Sequence, residues 1–169
     1  MSPLQADEIF ACLGRHNVSY VVVGGLAAVL HGSPLTTVDV DICPSLEPRN
    51  LESLAAALDE MDARIRTADT PEGVRFPRDA AFLSGVELLN LVTRFGDLDL
   101  TFRPAGTKGF TELAPRAIEM TIRGLKVSVA SLEDVIHSKE AANRPKDQRT
   151  LPLLRRLQEE IRKRKGSSG

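Results

Sequence analysis

Asp39 and Asp41 stand two residues apart in the run Val38-Asp39-Val40-Asp41-Ile42, where apolar and acidic side chains alternate. A period of two is that of a β-strand, and it places both carboxylates on one face, a few ångströms apart. Two like charges that close repel unless solvent, a shared proton or a bound cation separates them. A hard cation such as Mg2+ takes oxygen ligands and keeps positions open for phosphate. The same alternation also describes an ordinary half-exposed strand. A second acidic run, Asp97-Leu98-Asp99-Leu100, supplies a further carboxylate if its strand pairs beside the first. Three carboxylates can hold two cations for phosphoryl-type transfer, one activating the nucleophile and the other stabilising a triphosphate.

Upstream, Tyr20-Val21-Val22-Val23 reads as a buried strand that stops at Gly24-Gly25 and feeds a helix from Leu26 to His31, closed by Gly32. Absent side chains at such a junction let backbone N–H groups approach a phosphate. The run lacks the Gly-Lys-Ser/Thr of a Walker loop and the third glycine of the dinucleotide fingerprint, so any phosphate loop here is of another kind. Ser33 and Thr37 offer hydroxyls to a phosphate, although Ser and Thr beside Pro and Gly also serve turns and caps. His31, next to Gly32, reads as a helix C-terminal partner rather than a base.

The remaining elements must position these groups. Ile9, Phe10 and Leu13 fall at helical spacing within a helix over Ala6–Arg15, and Leu51, Leu54, Ala55 and Leu58 do so within one over Pro48–Met61, with Pro48 in its first turn. Charge, Pro and Gly between Ala68 and Arg78 predict a loop or irregular edge hairpin. Leu88–Arg94 and Asp97–Phe102 read as strands joined at Phe95-Gly96. Phe110–Leu113 reads as a helical turn, and Ala117–Ile122 with Leu125–Val129 as a hairpin around Arg123-Gly124. Ser131, with Asp134 three residues on, marks the start of a helix through Val135–Ala142, and a last helix is expected from about Lys146 to Lys163. One α+β domain over residues 1–165, with a small mixed or antiparallel sheet and helices packed on it, accommodates this order. Its core is expected over about 19–130 and its C-terminal helices over about 131–164. Gly166-Ser167-Ser168-Gly169 is expected to be a flexible tail.

Composition narrows the class. The chain has 169 residues, 22 Lys+Arg against 23 Asp+Glu, and 42% hydrophobic residues. It has no apolar run of the roughly 20 residues that a bilayer crossing requires, so no membrane partner is expected. Met1 to Phe10 lacks the basic and then apolar regions of a secretory signal, and the two cysteines, Cys12 and Cys43, show no Cys-x-x-Cys or Cys/His spacing of a zinc module. A cytoplasmic protein without redox chemistry is the expectation. Charge is unevenly spread: Arg144–Lys165 carries a net +6 and the remainder −7. A basic helix on an acidic body is either a solvated face or a platform for phosphate or nucleic acid. Aromatic residues make up only 4%, leaving few platforms on which single-stranded bases could stack.

Taken together, Val21-Val22-Val23-Gly24-Gly25-Leu26-Ala27-Ala28, His31-Gly32, Thr37-Val38-Asp39-Val40-Asp41 and Gly96-Asp97-Leu98-Asp99 resemble the nucleotidyltransferase superfamily of DNA polymerase beta-like fold. Within it the chain is most similar to small bacterial proteins related to AbiEii-type toxins and minimal nucleotidyltransferases. The resemblance extends into Ser131-Leu132-Glu133-Asp134-Val135-Ile136, Ser138-Lys139 and Asn143-Arg144-Pro145-Lys146-Asp147, and so covers about Ser19 to Leu154. It implies Mg2+-dependent transfer of NMP from an NTP, ATP among the candidates, to a hydroxyl of RNA, protein or a small molecule, in a toxin-like setting. It further implies that Gly24 and Gly25 hold the triphosphate, that Asp39, Asp41 and Asp99 bind two Mg2+ ions, and that Asp99 activates the acceptor. Lys139, Arg144, Lys146 and Asp147 match a C-terminal signature that neutralises phosphate and orients basic side chains. A folded tRNA end on the basic helix and a cognate antitoxin are the partners implied. Relatives commonly carry a basic residue ahead of the Thr-x-Asp-x-Asp series, where Leu35 and Thr36 stand here. This departure keeps a second reading open, a catalytically lapsed relative that binds a partner in a toxin–antitoxin type system.

Overall fold

A computed structural model of the chain describes residues 3–167. In chain order these form α1 (Ala6–Arg15), β1 (Tyr20–Val23), α2 (Gly24–Leu30), β2 (Asp39–Pro44), α3 (Pro48–Glu60), β3 (Arg64–Ile65), α4 (Ala80–Ser84), β4 (Leu88–Thr93) and β5 (Gly96–Thr101). There follow α5 (Phe110–Leu113), a 3-10 turn (Ala114–Arg116), β6 (Ile118–Ile122), β7 (Leu125–Val129), α6 (Leu132–Ala142) and α7 (Pro145–Ser167). The strands make one seven-stranded mixed sheet in the order β3-β4-β5-β2-β1-β7-β6. Neighbours are antiparallel except for β2 with β5 and β1 with β7, which run parallel. The α+β expectation and its mixed sheet are thus met.

Alternation decides which face of each strand is buried. Val40 and Ile42 of β2, Leu98 and Leu100 of β5 and Leu91 of β4 are fully buried, and they share a core with Ile9 and Leu13 of α1 and with Leu54 and Leu58 of α3. Each such side chain contributes about 1.5–3 kcal/mol on leaving water. The intervening residues of β2 and β5, Asp39, Asp41, Asp97 and Asp99, are left on the opposite, half-buried face. One pattern therefore supplies both the core and the carboxylates.

Two expectations are corrected, the start of α2 and the tail. The helix after β1 begins at Gly24 itself rather than at Leu26, and it ends at Leu30 with His31 as its cap. The stretch Ala68–Arg78, expected as a loop or irregular edge hairpin, is irregular apart from Val74, which bridges back to Ile65; short elements flank it, β3 paired with β4 and α4 capped by Asp79, whose carboxylate accepts the Phe82 N–H at 2.8 Å. Helix α7 runs on through Gly166 and Ser167, where a flexible tail was expected, because the turn begun by Arg162–Lys165 continues and the Ser167 hydroxyl donates to the Arg164 carbonyl at 3.1 Å. Ser168 and Gly169 lie outside the described residues. No helix among the described residues is long and apolar enough to cross a membrane.

A buried asparagine ties the frame at the end of β1 remote from Gly24. Asn50 of α3 accepts the Ser19 N–H at 2.7 Å and donates to the carbonyls of Ser19 (2.9 Å) and Ser45 (2.8 Å). Removing it would take this partner from the Ser19 N–H and the Ser45 carbonyl, the Ser19 carbonyl keeping the Ser45 N–H at 3.0 Å, and each such loss costs about 1–3 kcal/mol. Asn50→Ala should therefore destabilise the fold by about 2–4 kcal/mol in urea denaturation, and the apolar near-isostere Asn50→Leu should do no better.

Candidate active site

Register brings the acidic runs together. In the parallel pair β2–β5, Asp39 lies beside Asp97 and Asp41 beside Asp99, while on the other flank of β2 Asp41 faces Val23, the last residue of β1. The chain must then turn at Gly24, directly against the Asp41 carboxylate. Gly24 has φ +65°, and a Cβ there would lie 2.9 Å from Asp41 Cγ, so both backbone conformation and space require glycine. The backbone of Gly25 favours the ionised form of the Asp41 carboxyl. Thr37 donates its hydroxyl to the Asp39 carbonyl at 3.1 Å, beside Gly25.

Carboxylate oxygens of Asp39, Asp41 and Asp99 all lie within 4.8 Å of one another. Burial, followed by the negative charge of Asp39 and Asp99, pushes the Asp41 carboxyl up to about 7. Burial raises Asp99 as well, opposed chiefly by the guanidinium of Arg66. That arginine, absent from the residues singled out by sequence, donates to Asp99 Oδ1 at 2.9 Å and to the Leu91 carbonyl at 3.2 Å, and pairs with Asp97 at 3.2 Å. Asp97 is thus a partner of Arg66. The faint alternation Ala63-Arg64-Ile65-Arg66 is the one signal that could have found it, and a strand of two residues is too short to register.

Gly24, Gly25, Ser33, Thr37, Lys139, Arg144 and Lys146 line a single cavity of about 720 Å³ together with the three carboxylates and Arg66. Ser33 is buried, and its oxygen accepts the Leu35 N–H at 3.3 Å, so it also shapes the turn. His31 is directed elsewhere: its ring pairs with the Ala130 carbonyl at 2.7 Å, tying α2 to the end of β7. Asp147 does not line the cavity. Fully buried in the first turn of α7, it accepts the backbone N–H (3.1 Å) and Nε (2.7 Å) of Arg144 and lies 3.6 Å from Lys139 Nζ. The acid at the third helical position thereby caps the helix start and holds two basic side chains. Arg144 keeps the Asp147 carboxyl below its ordinary range against the cost of burial. Ser131 caps α6 through the Asp134 N–H, whereas Asp134 itself is taken by Arg116 in a two-pronged pair.

A mixed sheet carrying three acids on adjacent parallel strands, against a glycine turn and a basic wall, is the arrangement of a nucleotidyltransferase. Residues 4–153 match the family described as nucleotidyltransferase of unknown function (DUF6036), and the chain belongs to that family. No functionally curated protein matches it in sequence. Among solved structures it is similar to the lincosamide antibiotic adenylyltransferase LnuA in its lincomycin-bound form, at 14% identity and a TM-score of 0.59 over 92% of this chain and 99% of that one. It is also similar to TM1012 of Thermotoga maritima, assigned to the nucleotidyltransferases, at 16% identity and a TM-score of 0.55 over 89% and 94% of the two chains. The antibiotic-resistance factor ANT(2'')-Ia aligns at 18% identity and a TM-score of 0.54 over 95% and 91%. At these identities the likeness is one of fold.

Because folded Asp41 holds a proton that the unfolded chain releases, its contribution to stability is present below the ordinary value of 3.8 and lost as pH rises through about 7. With EDTA present, stability measured in urea should fall across that window. Asp41→Asn should flatten the slope and raise stability near pH 8 by on the order of 2 kcal/mol. Asp147 has the opposite sign: its stabilisation is present above 3.8 and lost as pH falls below it. Asp147→Asn should cost about 1–3 kcal/mol at neutral pH and remove that acid sensitivity, read by denaturation at neutral pH and near pH 3.5.

Proposed function

We propose that this chain catalyses Mg2+-dependent transfer of NMP from an NTP to an acceptor hydroxyl, with release of pyrophosphate. The observation that carries this reading is the convergence of Asp39, Asp41 and Asp99 on a cavity whose other wall is basic. The donor set is all oxygen and crowded with like charge, which suits a hard dication better than a soft one. Asp39 and Asp41, with Asp99 shared, would hold the metal, in keeping with two ions. When bound, Mg2+ would offset triphosphate charge and make the acceptor hydroxyl easier to ionise.

The chain's own groups do the rest. Gly24 and Gly25 let backbone amides and phosphates approach closely, with the hydroxyls of Ser33 and Thr37 alongside. Lys139, Arg144 and Lys146 stabilise the charge of the triphosphate, and Asp147 positions Lys139 and Arg144. Asp99, oriented by Arg66, accepts the proton of the acceptor hydroxyl as its oxygen bonds to the α-phosphorus. The bond from that phosphorus to the β-bridging oxygen breaks, and pyrophosphate leaves with the electron pair. Leu35 brings no charge to this cavity, but Arg66 and the three basic residues of the C-terminal helices do, which favours an active enzyme over a lapsed one.

A small hydroxyl-bearing molecule is the acceptor this reading favours. A cavity of about 720 Å³ has the volume of a site for drug-sized ligands, and two fold neighbours are by name an antibiotic adenylyltransferase and an antibiotic-resistance factor. A toxin-like role on tRNA, with a cognate antitoxin, is the second reading, and the exposed basic residues Arg149, Arg156, Arg162 and Lys163 of α7 support it. Calorimetric titration with each of the four NTPs tests the donor site. Mg2+-dependent binding of one NTP, weakened at least about tenfold in Asp39→Asn and Asp41→Asn, is expected, together with loss of pyrophosphate release in Asp41→Asn at an unchanged circular dichroism spectrum. Absence of binding for all four NTPs with Mg2+ present would overturn the assignment.

A further inference from the structure

One cluster of reactive side chains takes no part in the reaction above. Cys12 and His16 stand one helical turn apart at the C-terminal end of α1, and Glu60, the last residue of α3, lies beside them. Cys12 Sγ is 2.8 Å from Glu60 Oε2, His16 Nε2 is 3.3 Å from Glu60 Oε1, and one donor atom from each residue falls within 4.8 Å of the others. No metal spacing was visible for either cysteine in the sequence. On a helix, however, residues at i and i+4 project from one face, and the third donor arrives from a distant helix. The cluster sits before β1, which Asn17, Val18 and Ser19 join to α1, whereas the carboxylate site begins beyond the other end of that strand at Gly24.

We propose that Cys12, His16 and Glu60 form a zinc site that pins α1 to α3. Thiolate, imidazole and carboxylate are the donors zinc takes at about 2.0–2.3 Å, and a tetrahedron of such bonds has edges of about 3.3–3.8 Å. The donor atoms already lie within about an ångström of that spacing. Ionised Cys12 and Glu60 balance a dication, and neutral His16 adds the third ligand. In the metal-free chain the thiol donates its proton to Glu60, and burial holds its pKa up at about 12. Zinc would displace that proton, so binding strengthens as pH rises. Cys12 is buried while His16 and Glu60 reach the surface, which gives the ion a path inward and leaves a fourth position toward solvent. The Arg15 guanidinium now pairs with Glu60. Its side chain is half exposed, and exposed pairs of this kind hold weakly, so it can turn into solvent when the carboxylate engages metal.

Cobalt(II) is the probe, because thiolate ligation gives near-ultraviolet charge-transfer absorption that the all-carboxylate site cannot produce. Titrating the full chain with Co2+ should develop this band at one equivalent, and Zn2+ should displace it. Asp39→Asn and Asp41→Asn should retain the band and Cys12→Ser should lose it. His16→Ala and Glu60→Gln, surface changes that leave the core packed, should each weaken Co2+ binding at least about tenfold and abolish the rise in thermal midpoint that Zn2+ gives the unmodified chain. A chain saturated with Co2+ that shows no thiolate band would refute the site. So would a band that survives Cys12→Ser, or that stays undiminished in both His16→Ala and Glu60→Gln.

Discussion

Mutual repulsion among Asp39, Asp41 and Asp99 is the constraint around which the chain is built. Three carboxylates within 4.8 Å would drift apart on any flexible support. Here they are fixed by the parallel pairing of β2 and β5, whose inner residues Val40, Ile42, Leu98 and Leu100 are fully buried. Slipping either strand by one residue would bury the acids and expose the core, so hydrophobic packing and placement of the acids are one choice rather than two. The free energy stored in the crowded charges comes from apolar burial on the reverse face of the same strands.

The opposite wall of the cavity solves the complementary problem of holding positive charge near a substrate without losing it to solvent. Asp147 is buried where α7 begins and gathers Arg144 and Lys139 from either side of the α6–α7 corner. Its two oxygens satisfy a helix-start N–H at the same time, so capping and charge placement depend on one side chain. An acidic residue deep in the fold and a basic face beside it form a single unit, and the position of Lys139 follows from where α7 starts.

Much of this was legible in the sequence because it is local. The period-two runs gave β2 and β5, the spacing of Leu51, Leu54 and Leu58 gave α3, and the Ser131 pattern gave the start of α6. What sequence could not supply is the register that puts Asp41 beside Asp99, since that pairing spans the whole of α3, β3, α4 and β4. Short elements were lost for a different reason. Two residues of β3 and five of α4 carry too little periodicity to stand out, and α4 is announced only by its Asp79 cap. Arg66 was invisible because its position follows from β3. Gly166 and Ser167 misled in the other direction, their composition suggesting a tail while the helix before them continued.

Arg66 also bears on the departure at Leu35. A superfamily pattern counts charges along the chain, but a phosphate responds to charges in space. Arg66 enters the cavity from the strand edge beyond β4, bridging Asp97 and Asp99, and lines it together with Lys139 and Arg144. It limits the repulsion that Asp99 feels from Asp39 while leaving Asp41, which pairs with no arginine among the described residues, more strongly perturbed than Asp99. The site is therefore asymmetric by construction: one carboxylate is steadied by a protein cation and another is left in want of one. That unmet charge at Asp41, beside a glycine turn that only an unsubstituted backbone can make, is the physical reason to expect a divalent cation there rather than a closed salt bridge.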